Sequence, residues 1–334
     1  TSGSWREMGR ALAEAFPDQL REFIELFTPD VARGQVPNIA PTLREMTQQH
    51  APELLDETAG MAEVLDLPAD GLLCYRMFVD ANALRPRQGC SVFMVDDAPE
   101  GPLLARTCDI EPETHANQIC QIRRPDDGMA TITLTYVGLV SSIGMNEAGL
   151  GLAGASARPA EEGTAAGPGI TVIAFSALLR CRSVGEAETL LCARPLIGKG
   201  SVQLLADAEG DCRLLEFVHG KRAVSVARPA GQTWQAATNF HPSGLTRNEP
   251  RTTIDYNAYA RYGRIVHQLM IDPRTHSILG AKALLGDISQ PGRYIPEGAF
   301  SLQTAYASVF ELRARVCHLC AGNPLRERFE AVAL

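Results

Sequence analysis

The chain has 334 residues, enough for one large domain or two ordinary ones around a sizeable core. With 31 basic against 39 acidic residues and no basic cluster, it offers nothing to attract nucleic acid. No apolar run is long enough to span a bilayer, and nine scattered cysteines argue against a disulfide framework and for a reducing, cytoplasmic setting.

In chain order, Trp5, Met8, Leu12, Phe16, Leu20, Phe23, Ile24 and Phe27 recur at three- and four-residue steps. They predict a helix that Pro17 kinks or splits and Thr28-Pro29 ends. Further helical patterns cover about 41–65 and 70–83. After Arg85-Pro86-Arg87-Gln88-Gly89 the pattern switches to strand. Gly89-Cys90-Ser91-Val92-Phe93-Met94-Val95 reads as a loop that delivers Cys90 to a strand start. A turn-rich stretch and a second strand, 103–110, complete a hairpin that folds Arg106 and Asp109 back towards Cys90.

Strands follow at 130–137 and 140–145, and the turn Asn146-Glu147-Ala148-Gly149 leads into 150–153. Two helices, 172–181 and 184–192, precede strands at 202–206, 212–218, 223–227 and 233–239. Two more helices, 254–270 and 277–285, precede a last strand pair over 304–320. Blocks of strands separated by pairs of helices suit antiparallel sheets covered by helices on their outer faces. They do not suit a doubly wound parallel sheet.

Several motifs match only by the letter. Gly149-Leu150-Gly151-Leu152-Ala153-Gly154 has dinucleotide spacing, but its glycines lie in and after a hairpin turn and no helix opens behind them. Cys317-His318-Leu319-Cys320 has the spacing of a metal or redox pair, yet it sits in a predicted strand, where side chains three apart point to opposite faces. It also lacks a second pair to complete a zinc site. The sequence therefore calls for no cofactor and no metal.

Cys90 has two readings, a packing residue at a strand start or a nucleophile. A catalytic thiol needs cations, and Arg85, Arg87 and Arg106 are at hand. It also needs a base, and no cysteine–histidine pairing is evident. An N-terminal cysteine carries its own, because an α-amine titrates at about 7.7–8.0. That requires a cut at Gly89–Cys90, where glycine would tolerate the backbone conformation that lets a thiol reach the preceding carbonyl. The helix-to-strand switch at this bond fits a propeptide, 1–89, ahead of a catalytic domain, 90–334.

Gly89-Cys90-Ser91-Val92-Phe93 followed by Ala105-Arg106-Thr107-Cys108-Asp109 resembles the start of mature N-terminal-nucleophile (Ntn) cysteine hydrolases. The closer resemblance is to the acyl-CoA:6-aminopenicillanate acyltransferase family, whose members open like Gly3-Ser4-Trp5-Arg6-Glu7-Met8-Gly9. Bile-salt hydrolases and penicillin V acylases are more distant relatives. Gly144-Met145-Asn146-Glu147-Ala148-Gly149-Leu150 resembles the family's G-x-N-E-A-G-L turn. Ala237-Thr238-Asn239-Phe240-His241 resembles its T-N-H-F with the last two residues exchanged. Tyr259-Ala260-Arg261-Tyr262-Gly263-Arg264 and Gly322-Asn323-Pro324 resemble two later motifs.

The resemblance implies an α/β (α+β) fold, a four-layer α-β-β-α sandwich of antiparallel sheets behind an N-terminal helical propeptide. It implies a self-processing amidohydrolase or acyltransferase. Cys90 would be the nucleophile, Asp109 would hold its amine, and Arg106 would support the thiolate. Asn239 would donate to the oxyanion, with Asn146 either a second donor or a turn residue. A later arginine is expected too, with Arg293 preferred and Arg261 its rival. The expected partners are a small amide or acyl donor, acyl-CoA being one candidate, and the two chains of the cut precursor. No nucleic acid or membrane is expected, and homo-oligomerisation stays open. Two alternatives are an uncut, catalytically idle binding protein of the same fold, and a redox or metal protein using Cys317 and Cys320.

Overall fold

The computed structural model describes residues 1–78, 89–157, 168–198, 200–243, 253–289 and 302–334. Helix α1 (Trp5–Ala15) opens on a capping box, the Ser4 hydroxyl accepting from the Glu7 N–H while the Glu7 carboxylate accepts from the Ser4 N–H. Pro17 splits the predicted long helix, restarting it as α2 (Pro17–Phe27), and α3 (Pro29–Ala32) follows. The expected helix over 41–65 is in fact two, α4 (Ala40–His50) and α5 (Glu53–Leu65). Ala51, ahead of Pro52, is forced out of the helical region, with φ at −153°. Helix α6 (Ala69–Arg76) ends the described helical segment, and the expected continuation to 83 lies outside the described residues.

The described strands form two sheets, one of eight and one of six. The smaller has the order β11-β2-β3-β12-β13-β14, with β2 (Gly89–Val95), β3 (Leu103–Ile110), β11 (Trp234–Ala237), β12 (Gln303–Glu311), β13 (Val316–Ala321) and β14 (Phe329–Ala333), all antiparallel. The larger runs in chain order from β4 (Gln118–Pro125) through β5 (Thr131–Tyr136), β6 (Gly144–Asn146), β7 (Gly151–Ser156), β8 (Ser201–Ala206) and β9 (Cys212–Phe217) to β10 (Val224–Ala227). A two-residue strand β1 (Ser2–Gly3) pairs parallel to β4 at its edge. Strand β6 is shorter than predicted. The Ser141 hydroxyl donates to the Leu134 carbonyl and accepts from the Ile143 N–H, taking groups a ladder would use.

Three apolar clusters separate four layers. Cys90, Val92, Met94, Leu104 and Phe310 of the smaller sheet meet Ile132, Ala153, Leu204 and Leu214 of the larger one between the sheets. The outer face of the smaller sheet, Phe93, Val95, Ala105 and Val309, packs on helices α9 (Thr253–Ile271) and α10 (Ile278–Ile288). The outer face of the larger sheet packs on residues of the N-terminal helices together with α7 (Ile170–Arg180) and α8 (Val184–Cys192). The order is helix, sheet, sheet, helix, as expected. Strand alternation also separates Cys317, between the sheets, from Cys320, under the helices, so they cannot share one metal or one disulfide.

The N-terminal helices are tied to the larger sheet by a buried ionic cluster. The Glu57 carboxylate accepts from Arg76 on one oxygen and from Arg123 Nε, at 2.8 Å, on the other. Gln121 Nε2 also donates to the carboxylate. The Thr58 and Thr133 hydroxyls, the Leu54 and Gly138 carbonyls and Gln121 Oε1 accept from the guanidinium groups, and Arg123 lies over the Phe175 ring. Burial alone would raise the Glu57 carboxyl, but Arg123 and Arg76 overcome it and hold it at about 2. Glu57→Gln strands two guanidinium groups in the interior and is expected to cost about 3–5 kcal/mol in chemical denaturation at pH 7. Because the folded value is depressed, Glu57 stabilises the fold above its ordinary 4.5, and that stability is lost as pH falls from 4.5 towards about 2. Repeating the measurement between pH 5 and 3 should shrink the gap between wild type and variant.

Candidate active site

Strand β2 lies between β11 and β3, but its ladder with β11 ends at the Ala237–Val92 pair. The next groups facing that side, the N–H and C=O of Cys90, are met by side chains. The N–H donates to Asn239 Oδ1 at 2.8 Å, and the carbonyl accepts from Arg261 Nη1 at 2.6 Å. Arg261, on α9, also donates to Ser91 Oγ at 2.7 Å, to Asn239 Oδ1 at 2.8 Å and to Asn257 Oδ1 at 2.6 Å. A fully buried guanidinium thus does the work of a missing strand. Two donors on Asn239 Oδ1 fix the amide's orientation, and Nδ2 turns to the Ser156 carbonyl at 2.9 Å and its hydroxyl at 3.3 Å.

The pleat then sorts the remaining groups onto opposite faces. On the face between the sheets, the Cys90 sulfur lies 3.3 Å from Arg106 Nη2. Arg106 also donates to the Gly154 carbonyl at 3.0 Å and to the Tyr306 hydroxyl. Cys108, directly across the ladder from Cys90, stands on the same face of the sheet. On the helix face, Asp109 stands opposite Gly89. Its Oδ1 accepts from Thr304 Oγ1 at 2.7 Å, while its Oδ2 is buried with no hydrogen-bond partner among the described residues. Burial raises the Asp109 carboxyl to about 7, against the opposing pull of Arg261 and the Thr304 hydroxyl.

Two local features make this possible. A bulge in β12 between Thr304 and Tyr306 sends Thr304 to the carboxylate face and Tyr306 to the thiol face, although they pair with adjacent residues of β3. At Gly89 a Cβ would come within 3.1 Å of Asp109 Oδ2 and 3.6 Å of Arg261 Nη2. Its φ is not in the left-handed region, so the glycine is needed for room and not for an unusual backbone conformation.

The family model for acyl-coenzyme A:6-aminopenicillanic acid acyl-transferase matches residues 97–326. A sequence search of curated proteins finds no match. Among solved structures, penicillin V acylase from Agrobacterium tumefaciens is similar at 16% identity and a TM-score of 0.47, covering 73% of this chain and 86% of that one. A variant of conjugated bile acid hydrolase from Clostridium perfringens is similar at 15% identity and 0.48, covering 73% and 92%. At such distances the likeness assigns no role to any residue.

Of the residues singled out in the sequence, Cys90, Arg106, Asp109, Asn239 and Gly89 converge, and Arg261, the rival to Arg293, joins them. Arg293 lies outside the described residues. Ser156, Thr304 and Tyr306 were not foreseen. Phe240 stacks on Tyr259, and His241 is buried against the Phe217 carbonyl at 3.2 Å. Asn146 is held elsewhere. Its Nδ2 donates to the Leu178 and Cys181 carbonyls at 2.9 and 2.8 Å, and its Oδ1 accepts from the Ala148 and Leu150 N–H groups, both at 3.1 Å. It closes the turn after β6 and anchors it to the end of α7. Asn146→Ala, leaving three buried backbone groups and one half-buried one short of a partner, is expected to lower stability by about 3 kcal/mol in urea titration.

Proposed function

The chain belongs to the acyl-coenzyme A:6-aminopenicillanic acid acyl-transferase family, and from that premise we propose that it cuts its own Gly89–Cys90 bond and then works as an N-terminal-cysteine amidohydrolase or acyltransferase. The observation that carries this reading is the arrangement around one residue. A guanidinium flanks the Cys90 sulfur on one face of the strand, and on the other a carboxyl oxygen with no hydrogen-bond partner among the described residues flanks the preceding Gly89.

In processing, the Cys90 thiol gives up its proton to solvent, and Sγ, as the thiolate beside Arg106, attacks the Gly89 carbonyl carbon. The C–N bond breaks, a thioester forms between Gly89 and the sulfur, and the Cys90 nitrogen takes up a proton. Asp109, buried beside Gly89 and half protonated near neutrality, is placed to supply it. Water then hydrolyses the thioester, leaving a carboxylate on Gly89 and an amine on Cys90. In turnover that amine takes the thiol proton, and the sulfur attacks the acyl donor's carbonyl, that of an amide or a thioester such as acyl-CoA. Asn239 Nδ2 stabilises the oxyanion through the hydrogen now shared loosely with Ser156 Oγ at 3.3 Å. The oxyanion collapses, the donor's C–N or C–S bond breaks, and the amine or thiol leaves with the proton returned by the Cys90 ammonium. The acyl group then passes from Sγ to water or to an amine. Arg106 supports the thiolate, and Arg261 holds the Cys90 carbonyl still throughout.

Intact mass and N-terminal sequencing test this. Wild type should yield a fragment beginning at Cys90, and Cys90→Ala should remain whole at 36.1 kDa. Cutting at the same bond in Cys90→Ala would sink the scheme. Asp109→Asn should slow processing by about 10²–10⁴-fold. Since the acid form of Asp109 is the one required, processing should be fastest below about pH 7 and fall as pH rises through that value. A rate that instead climbs through neutrality would remove Asp109 from the role of acid.

A further inference from the structure

Cys90 and Cys108 form a directly opposed pair on β2 and β3. Both backbone polar groups of Cys90 point away from β3, to Asn239 and Arg261. The pair is therefore a non-hydrogen-bonded one, the closer of the two kinds, with Cα atoms about 4.5 Å apart. Disulfides span Cα separations from about 4.4 to 6.8 Å. Both side chains lie on the same face of the sheet, in the layer between the sheets. All nine cysteines, each among the described residues, are thiols in this structure.

We propose that this pair is an oxidative modification site, at which a peroxide converts Cys90 and Cys108 into a reversible disulfide. The Cys90 thiolate, beside Arg106, attacks one peroxide oxygen. The O–O bond breaks, one water leaves after protonation, and Cys90 becomes a sulfenic acid. Cys108 Sγ then attacks the Cys90 sulfur. The S–S bond forms, the S–O bond breaks, and the hydroxide leaves as a second water with the Cys108 proton. Two thiols lose two electrons and two protons, and one peroxide becomes two waters. Cys108 suits this resolving role. Cross-strand pairing puts its sulfur on the same face as Cys90, so it can reach the sulfenic acid without any movement of the backbone. Access rests on the proposed function, because a route that admits an acyl donor admits a peroxide. With Cys90 Sγ in a disulfide, neither processing nor acyl transfer can begin. Cys108 thus also protects Cys90 from oxidation to the irreversible sulfinic and sulfonic acids.

The test needs no turnover. The full chain, and any fragment beginning at Cys90, is treated with hydrogen peroxide, unfolded, alkylated with iodoacetamide and mapped by mass spectrometry. The expected wild-type product is lighter by two hydrogens, with the Cys90 and Cys108 peptides cross-linked and both alkylatable again after dithiothreitol. In Cys108→Ser, Cys90 should instead gain two or three oxygens that dithiothreitol does not remove. Cys108→Ala serves the same purpose if the serine variant fails to fold. The proposal is overturned if wild-type Cys90 accumulates oxygens while Cys108 stays alkylatable, or if both stay alkylatable. Because the cross-link is read by mass alone, its absence and the absence of processing are separate results.

Discussion

A guanidinium taken out of water must find oxygen for its N–H groups, and the centre of this molecule is arranged around that demand. Arg261 meets it with the Cys90 carbonyl, the Ser91 hydroxyl and the Asn239 and Asn257 amides, at the point where the strand ladder runs out. Arg106 meets it with the Gly154 carbonyl and the Tyr306 hydroxyl, which leaves one nitrogen against the Cys90 sulfur. Neither arginine can swing away without abandoning several partners in a dry interior. Residue 90 is thereby held by its N–H, its C=O and its side chain at once. Such holding is what a reacting group needs and what packing alone would not produce.

The same strand separates two kinds of chemistry. Sulfur, Arg106 and Cys108 share the layer between the sheets, while the Asp109 carboxyl and Arg261 share the layer under the helices. A carboxylate on the sulfur's own face would oppose thiolate formation by like charge. Placed behind the strand, it stands beside Gly89 without sharing the sulfur's face. The β12 bulge keeps this division intact by giving each face its own hydroxyl, Thr304 on one and Tyr306 on the other.

What could be seen in the sequence followed from local periodicity. The β2–β3 hairpin, the helices flanking each strand block and the convergence of Arg106 and Asp109 on Cys90 all depend on alternation or on short spacing. Strand β4 escaped notice because its buried residues include Gln121 and Arg123, polar side chains that erase the expected alternation. Tyr306 and Thr304 escaped because a bulge has no reliable mark in a single sequence. The choice between Arg261 and Arg293 could not be made from spacing, since both follow Asn239 at a distance that a fold alone can close. Asn146 carried a family-like motif and yet serves its own turn, where an amide with two donors and two acceptor sites is what the backbone requires.

The ionic cluster beneath α5 and α6 has a consequence for how this protein can change over generations. Glu57 and Arg76, on the consecutive helices α5 and α6, and Arg123, on a strand of the larger sheet, place one buried carboxylate between two buried guanidinium groups. Replacing Glu57 alone strands two buried cations, and replacing either arginine leaves buried oxygens without their donor, while an all-apolar trio of similar volume could be neutral or better. Evolution therefore faces a valley between two workable solutions, and the three positions are expected to drift together or not at all.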